Sequence, residues 1–255
     1  MTRIIVVSSG KGGVGKTTVV SNLSSALALL GKSVIAIDCN LTTSNLSLHL
    51  GIPFYPVTFQ DVLHNRAHLD DAIYYHHGGF RVIPASISLK NSSVSRTERF
   101  LDIFYELTGS ADFVIIDSAA GLGPEALSAV EAADEVITVT NPEMPAMVDA
   151  RKLSRVADRF GTTSLGVILN RVSGERQEAS LKEVEDFLNT PMLGIVHEDR
   201  AVRASIAKKE PVLIHKPRAR ASKDFMRIAS LLVPPEAPTP YHLISPIHRF
   251  FGWLR

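Results

Sequence analysis

Scarcity sets the first limits on this chain. Of 255 residues one is cysteine and one is tryptophan, and 27 lysines and arginines nearly cancel 26 aspartates and glutamates. A single cysteine, Cys39, closes no disulfide framework and points to a reducing compartment. A formal net charge of +1 argues against a surface that coats nucleic acid wholesale, while leaving room for local basic patches. No apolar run approaches the ~20 residues needed to cross a bilayer. Arg3 is followed by a short β-type run with no apolar h-region or cleavage site, so the expectation is a cytoplasmic protein without a secretory signal. What is present, 45% hydrophobic and 21% charged residues, suits a soluble globular protein, and the length suits one sizeable α/β domain.

The densest chemistry lies near the start. Gly10-Lys11-Gly12-Gly13-Val14-Gly15-Lys16-Thr17 fits G-x-x-x-x-G-K-[ST], and Thr18 follows it. The apolar run Ile4–Val7 leads in, and a helical pattern through Val19, Val20, Leu23, Ala26, Leu27 and Leu30 leads out. Strand, glycine loop and helix bring successive backbone N–H groups and a helix N-terminus onto one anion. Lys16 is placed to reach the β- and γ-phosphates and the Thr17 hydroxyl to ligate Mg²⁺. The bland alternative is a glycine-rich turn that binds nothing.

Short β-branched runs recur at the intervals of βα units: Ser33–Ile37, Phe80–Ile83, Phe113–Ile116, Val136–Val139, Leu165–Leu169 and Met192–Val196. Most are continuously apolar, as parallel strands covered on both faces are. Helical patterns lie between them at Pro124–Ala133, Ala146–Phe160 and Leu181–Leu188. The expected fold class is therefore α/β: a doubly wound, mostly parallel sheet with helices on both faces and ligands at the carboxyl ends of the strands. Ser86–Thr97 reads as a polar surface loop, and residues 233–240 as a stiff proline-rich linker. The expected organisation is a phosphate-loop domain over 1–232, that linker, and a terminal amphipathic helix over 241–255.

Asp117 closes an apolar strand, an arrangement that holds Mg²⁺ through water, although an aspartate shortly before Pro124 could instead cap a helix. Asn170, with Arg171, closes another strand, and a side-chain amide can pair with an adenine edge through one donor and one acceptor.

Lys11, directly after the first glycine, makes the loop K-G-G-x-G-K-T-T, and here the chain resembles the MinD/ParA family of P-loop ATPases. The resemblance covers about residues 1–232 and carries several expectations. It implies a P-loop NTPase fold of the SIMIBI type, with ATP and Mg²⁺ as ligands. Lys11 would reach across an ATP-dependent homodimer to the partner's phosphates. Asp38 matches the first acid of the family's Asp-x-Asp-x-x-x-x-Asn and would stand near the metal, with Asn45 at the last position. Asn40 replaces the second Asp, which orients the attacking water, so hydrolysis is expected to survive but to be slow. Asp117-Ser118-Ala119-Ala120-Gly121 matches the second switch, with alanine where proline is common and Gly121 as its flexible point. Asn141-Pro142-Glu143 matches a segment near the nucleotide and dimer interface, and Glu143 and Asp149 are candidates to meet a cation or to be plain solvated charges. Asn170 and Arg171 would bind the base, flanked by Glu198 and Asp199, with His197 where proline is usual. The lack of further cysteines separates the chain from relatives that carry iron–sulfur clusters.

Three features remain. His64, His68, His76 and His77 lack a partner set with ligand spacing and read as surface residues, not a metal site. Lys208, Lys209, Lys216, Arg218, Arg220, Lys223 and Arg227 form a basic excess that could hold DNA nonspecifically, though Glu210 and Asp224 interrupt it. Finally, Ser245-Pro246 is a helix start signal, after which Ile247, Phe250, Phe251 and Leu254 fall on one side with Trp253 at the edge. Ten residues span only ~15 Å, so this helix would lie in an anionic membrane surface or dock on its own domain. MinD-like proteins carry such tails. The reading is an ATP-controlled, peripherally membrane-associated switch for spatial positioning, with a protein partner that stimulates hydrolysis. A DNA-partitioning ATPase and a nearly non-hydrolysing scaffold are the rivals.

Overall fold

A computed structural model describes residues 1–52, 54–87, 96–175 and 178–234. Most of the serine-rich loop, residues 235–240 of the linker and the whole terminal amphipathic stretch lie outside the described residues. The sheet has eight strands: β1 (Arg3–Ser9), β2 (Val34–Cys39), β3 (Tyr74–Tyr75), β4 (Arg81–Ile83), β5 (Phe113–Ala120), β6 (Glu135–Thr140), β7 (Thr163–Val172) and β8 (Met192–His197). Their order is β3-β4-β2-β5-β1-β6-β7-β8, parallel throughout except where β3 meets β4. β1 sits between the strands that come later on either side, which makes its carboxyl end a topological switch point.

Ten helices are described: α1 (Lys16–Leu29), α2 (Leu46–His49), α3 (Phe59–Leu63), α4 (Phe100–Glu106), α5 (Pro124–Ala132), α6 (Met144–Phe160), α7 (Leu181–Leu188), α8 (Arg200–Lys208), α9 (Val212–His215) and α10 (Arg220–Leu232). None is long and apolar enough to cross a membrane.

The continuous apolar runs follow from coverage of both sheet faces. Ile5, Val7, Ile115 and Ile137 point into one core with Leu23 and Leu27 of α1 and Phe225 of α10. Their alternates Ile4, Val6, Ile116 and Val136 enter a second core with Phe100 and Phe104 of α4 and Leu153 of α6. Burial of each such side chain is worth about 1.5–3 kcal/mol, so a one-residue register slip is heavily disfavoured. Helix ends follow local chemistry: α5 opens with Pro124 at its first position, α6 ends on Gly161 at φ 78°, and α7 starts with a reciprocal Ser180–Glu183 capping box.

β3 is the strand that periodicity does not announce, since two residues are too few to show any. It pairs antiparallel with β4 through Tyr74↔Val82 and Tyr75↔Arg81. The histidines beside it correct the surface reading. His76 is buried, stacks on Phe80 at 4.7 Å, accepts from the Gly78 N–H at Nδ1 and lies 3.3 Å from the Leu50 carbonyl at Nε2. Burial and the neighbouring His77 push its pKa down to about 4. It is a neutral core residue, while His68 and His77 stay exposed and His64 is half-buried. Among the described residues no three or more histidines, cysteines or acids cluster as metal ligands, these histidines included.

Candidate functional site

β1 ends where α1 begins, and the glycine loop makes the turn between them. Gly13 and Gly15 take φ of 83° and 98°, conformations a side chain would strain, and Gly15 occupies the N-cap of α1. Gly10 is required for another reason: a Cβ there would lie 2.3 Å from the Asp149 backbone, so α6 rests directly on the loop. Val14 is buried and anchors the loop in the first core, while Lys11, Gly12 and Gly13 stay exposed. The Ser9 hydroxyl donates to the Lys11 carbonyl at 2.9 Å. The Lys11 ammonium has no ion-pair partner among the described residues.

The loop borders a cavity of about 300 Å³ lined by Lys16, Thr17, Thr18, Asn40, Asn45 and His49 among others. A second cavity of about 220 Å³ adjoins it, and Thr18, Arg171 and Ile206 line both. Arg171 is a non-glycine residue at φ 58°, placed where β7 slips register against β8. That conformation costs on the order of 1 kcal/mol and sets Arg171 at the junction of the two cavities.

Asp38 and Asp117 are registered neighbours on β2 and β5, both fully buried. The Asp38 carboxylate accepts from the Asn40 N–H at 3.0 Å, the Leu46 N–H at 3.1 Å and the Ser44 hydroxyl at 2.7 Å. It therefore shapes the loop after β2, a task the sequence reading did not give it. Burial first, then the charge of Asp117, raise its pKa against those hydrogen bonds. Neither oxygen of Asp117 makes a hydrogen bond of good geometry. Burial raises the pKa of Asp117, and the Lys16 ammonium and Thr17 hydroxyl pull it back. The helix-cap alternative for Asp117 fails, because Gly123 caps α5. A buried carboxylate with no hydrogen bond of good geometry, beside the Thr17 hydroxyl and a second carboxylate, supplies oxygen donors of the kind a divalent cation takes. Cys39, next to Asp38 on β2, has its thiol pushed well up by burial and these acids, so it stays protonated.

Asn40 faces the same cavity. Its Oδ1 accepts from both the N–H and the hydroxyl of Thr43, at 3.2 and 3.0 Å, so the amide oxygen is committed to a turn. Asn45 donates to the Thr43 carbonyl at 2.8 Å. Gly121, at φ 86°, donates its N–H to the Ser9 carbonyl at 2.8 Å, which ties the loop after β5 back to β1.

At the second cavity Asn170 donates one amide hydrogen to the Val14 carbonyl at 2.7 Å, and its amide fills the space a Cβ on Gly15 would need. Asn170 thus braces the phosphate loop as well as lining the cavity. Glu198 lines it too, paired with exposed Arg203 at 2.6 Å. Asp199 is the N-cap of α8, accepting from the Ala201 N–H at 2.8 Å, and it also accepts from the Ala221 N–H of α10 at 3.3 Å. Its carboxylate thus serves two helix starts while Asp199 also lines the smaller cavity. Asn141 follows β6 with its Oδ1 buried and unpaired, and lines neither cavity. Glu143 is the exposed N-cap of α6, and Asp149 pairs with Lys152 at 3.0 Å, so within one chain neither meets Lys11.

Asp224 of α10 was missed by sequence reasoning. Buried at 3% exposure, it accepts from both the backbone N–H and Nδ1 of His197, at 3.1 and 2.8 Å. In the sequence it only interrupts a basic run; nothing local connects it to β8. The basic residues themselves, Lys208 to Lys223, are exposed along α8 to α10, and Arg227 pairs with Asp224 at 3.4 Å.

Known proteins share this fold. The CobQ/CobB/MinD/ParA nucleotide binding domain matches residues 5–212. An uncharacterised ATP-binding protein of Methanocaldococcus jannaschii is 40% identical over 90% of this chain and 87% of its own length. The septum site-determining protein MinD of Pyrococcus horikoshii, solved with Mg-ADP, superimposes with a TM-score of 0.88 at 36% identity, covering 91% of this chain and 96% of that one. MinD in the MinC:MinD complex of Aquifex aeolicus gives a TM-score of 0.81 at 29% identity, covering 92% and 99%. The family match, the sequence identity and the superposition agree: the chain belongs to the CobQ/CobB/MinD/ParA nucleotide-binding family.

Proposed function

We propose that this protein is a MinD-like ATPase that uses Mg·ATP as a dimerisation switch to control attachment to a membrane. The observation that carries the reading is Lys11, exposed, without an ion-pair partner among the described residues, and next in the chain to Gly12, which lines the phosphate cavity. A cation displayed there serves little purpose within one chain but suits the phosphates of a facing copy. The loop N–H groups and Lys16 would hold the triphosphate, and Thr17 with Asp117 would hold Mg²⁺, whose charge offsets that of the phosphates. Gly121 would exchange its bond to Ser9 for one to the γ-phosphate, which links the second loop to the nucleotide state. The Mg-ADP complex of the Pyrococcus relative supports the ligand choice, and the MinC:MinD complex supports a partner protein.

Asn40 can donate to a water but takes no proton at neutral pH, and its acceptor already serves Thr43. Slow turnover, and so a long ATP-bound lifetime, follows. One amphipathic tail of residues 241–255 would hold membrane marginally; two on a dimer gain roughly 10²–10⁴ in avidity. Nucleotide then sets location, and the task is the placement of division or other polar machinery.

The test is co-sedimentation with anionic liposomes in ATP and in ADP, for the full chain, for a chain ending at Pro240 and for Lys11→Ala, with the mass of each measured by light scattering. The reading expects ATP-dependent dimers that pellet, dimers without pelleting for the truncation, and monomers that stay in solution for Lys11→Ala. Pairing unchanged in Lys11→Ala would remove it. The exposed basic face of α8 to α10 is what favours a second reading, nonspecific DNA binding; that would appear as steeply salt-sensitive retention that survives the truncation.

A further inference from the structure

The smaller cavity is lined by the apolar Val196, Val202 and Phe225 and by polar and charged residues that include Asn170, Arg171 and His197. Apolar faces with a few directed polar atoms are what a planar heteroaromatic base requires. His197 is the member whose chemistry the surroundings define. Buried Asp224 accepts from its Nδ1 at 2.8 Å and from its backbone N–H at 3.1 Å, so the ring cannot turn without breaking a short bond to a carboxylate. A carboxylate accepts and does not donate, so in the neutral imidazole the proton sits on Nδ1 and Nε2 is left as a lone-pair acceptor. Nε2 has no partner among the described residues, although the side chain is only 22% exposed.

Resting on the reading of this site as a nucleotide pocket, we infer that His197, held by Asp224, is a residue that selects the base: its Nε2 accepts a hydrogen from a 6-amino purine and opposes a 6-oxo purine. Against a 6-amino group the pair is donor to acceptor. Against a 6-oxo group two acceptors meet in a half-buried slot, and each is left without a partner. A site that offers a committed polar atom rejects the mismatched analogue far more strongly than an apolar slot would. The proline usual at this position in MinD/ParA proteins has no side-chain polar atom to offer, so this device belongs to this chain's own His197–Asp224 pair.

The experiment measures binding, not turnover. ATP and inosine triphosphate, which differ at the 6-position, compete with a fluorescent ADP for the full-length protein in Mg²⁺, for wild type, His197→Ala and His197→Pro. The quantity read is the ratio of the two dissociation constants, which a general loosening of the pocket moves little because it weakens both ligands alike. The expected result is a preference for ATP in wild type that narrows roughly ten-fold in both variants. An unchanged ratio in two folded variants that still bind ATP overturns the role of His197 and leaves the proposed function standing. Absence of any nucleotide binding by wild type overturns both.

Discussion

Asp38 and Asp117 stand side by side on adjacent parallel strands, both buried, yet they are solvated by the protein in opposite ways. Asp38 accepts from Asn40, Ser44 and Leu46, while Asp117 has neither oxygen satisfied. One acid is built into the fold and the other is held in reserve. Asp117→Asn should therefore leave the metal-free protein as stable as wild type or more so, since it removes a like charge beside Asp38. The same change should abolish most of the Mg²⁺-dependent gain in nucleotide affinity. Thermal melts in EDTA and nucleotide titrations with and without Mg²⁺ check the two halves separately.

Asp38→Asn should behave differently. An amide in place of the carboxylate turns one acceptor into a donor facing either Asn40 N–H or the Ser44–Leu46 pair. A cost of about 1–3 kcal/mol is expected, read as a lower denaturation midpoint without a change in slope.

Gly10→Ala tests the contact between loop and helix. The added methyl would meet backbone atoms of Asp149 at 2.3 Å, and backbone has no rotamer to yield. Loss of about 3 kcal/mol and of nucleotide binding is expected, whereas Gly12→Ala, with only Ala120 near at 3.9 Å, should fold normally.

Asn40→Asp keeps an acceptor for Thr43 and adds a carboxylate to the phosphate cavity. Steady-state ATP turnover should rise several-fold. No gain in a folded variant would mean that Asn40 is a turn residue and that another group orders the water.

His76 predicts a pH dependence. Its folded pKa lies near 4, below the ordinary value of 6.5, so between these the unfolded chain binds more protons than the native one. The stability His76 contributes is complete above pH 6.5 and declines as pH falls toward 4, by about 1–3 kcal/mol. The raised acids Asp38 and Asp117 act with the opposite sign, since a native state that holds protons more tightly gains stability as pH falls. Subtracting the stability curve of His76→Phe from that of wild type cancels the acids. The difference should shrink across this window and stay level above it.

Much of the fold was legible because the information was local. The run Ile4–Val7, the glycine loop and the pattern from Val19 to Leu30 lie next to each other in the chain, and their periods report both strand and helix directly. The helical pattern Leu181–Leu188 matches α7 by the same logic. β3 escaped because two residues have no period, and His76 was misread because a histidine's burial depends on what folds over it, here Phe80 and the Leu50 carbonyl.

The sequence by itself determined the phosphate loop, the α/β class and the acids Asp38 and Asp117 late in two of the strands. Only the tertiary structure decided that Asp38 lies against Asp117, that Asn170 braces Val14, that Asp199 caps two helices and that Asp224 fixes His197. The reason is the parallel sheet. Each crossover carries the chain through a helix before it returns, so strands that touch are distant in sequence, and side-chain pairs between them leave no local period to read.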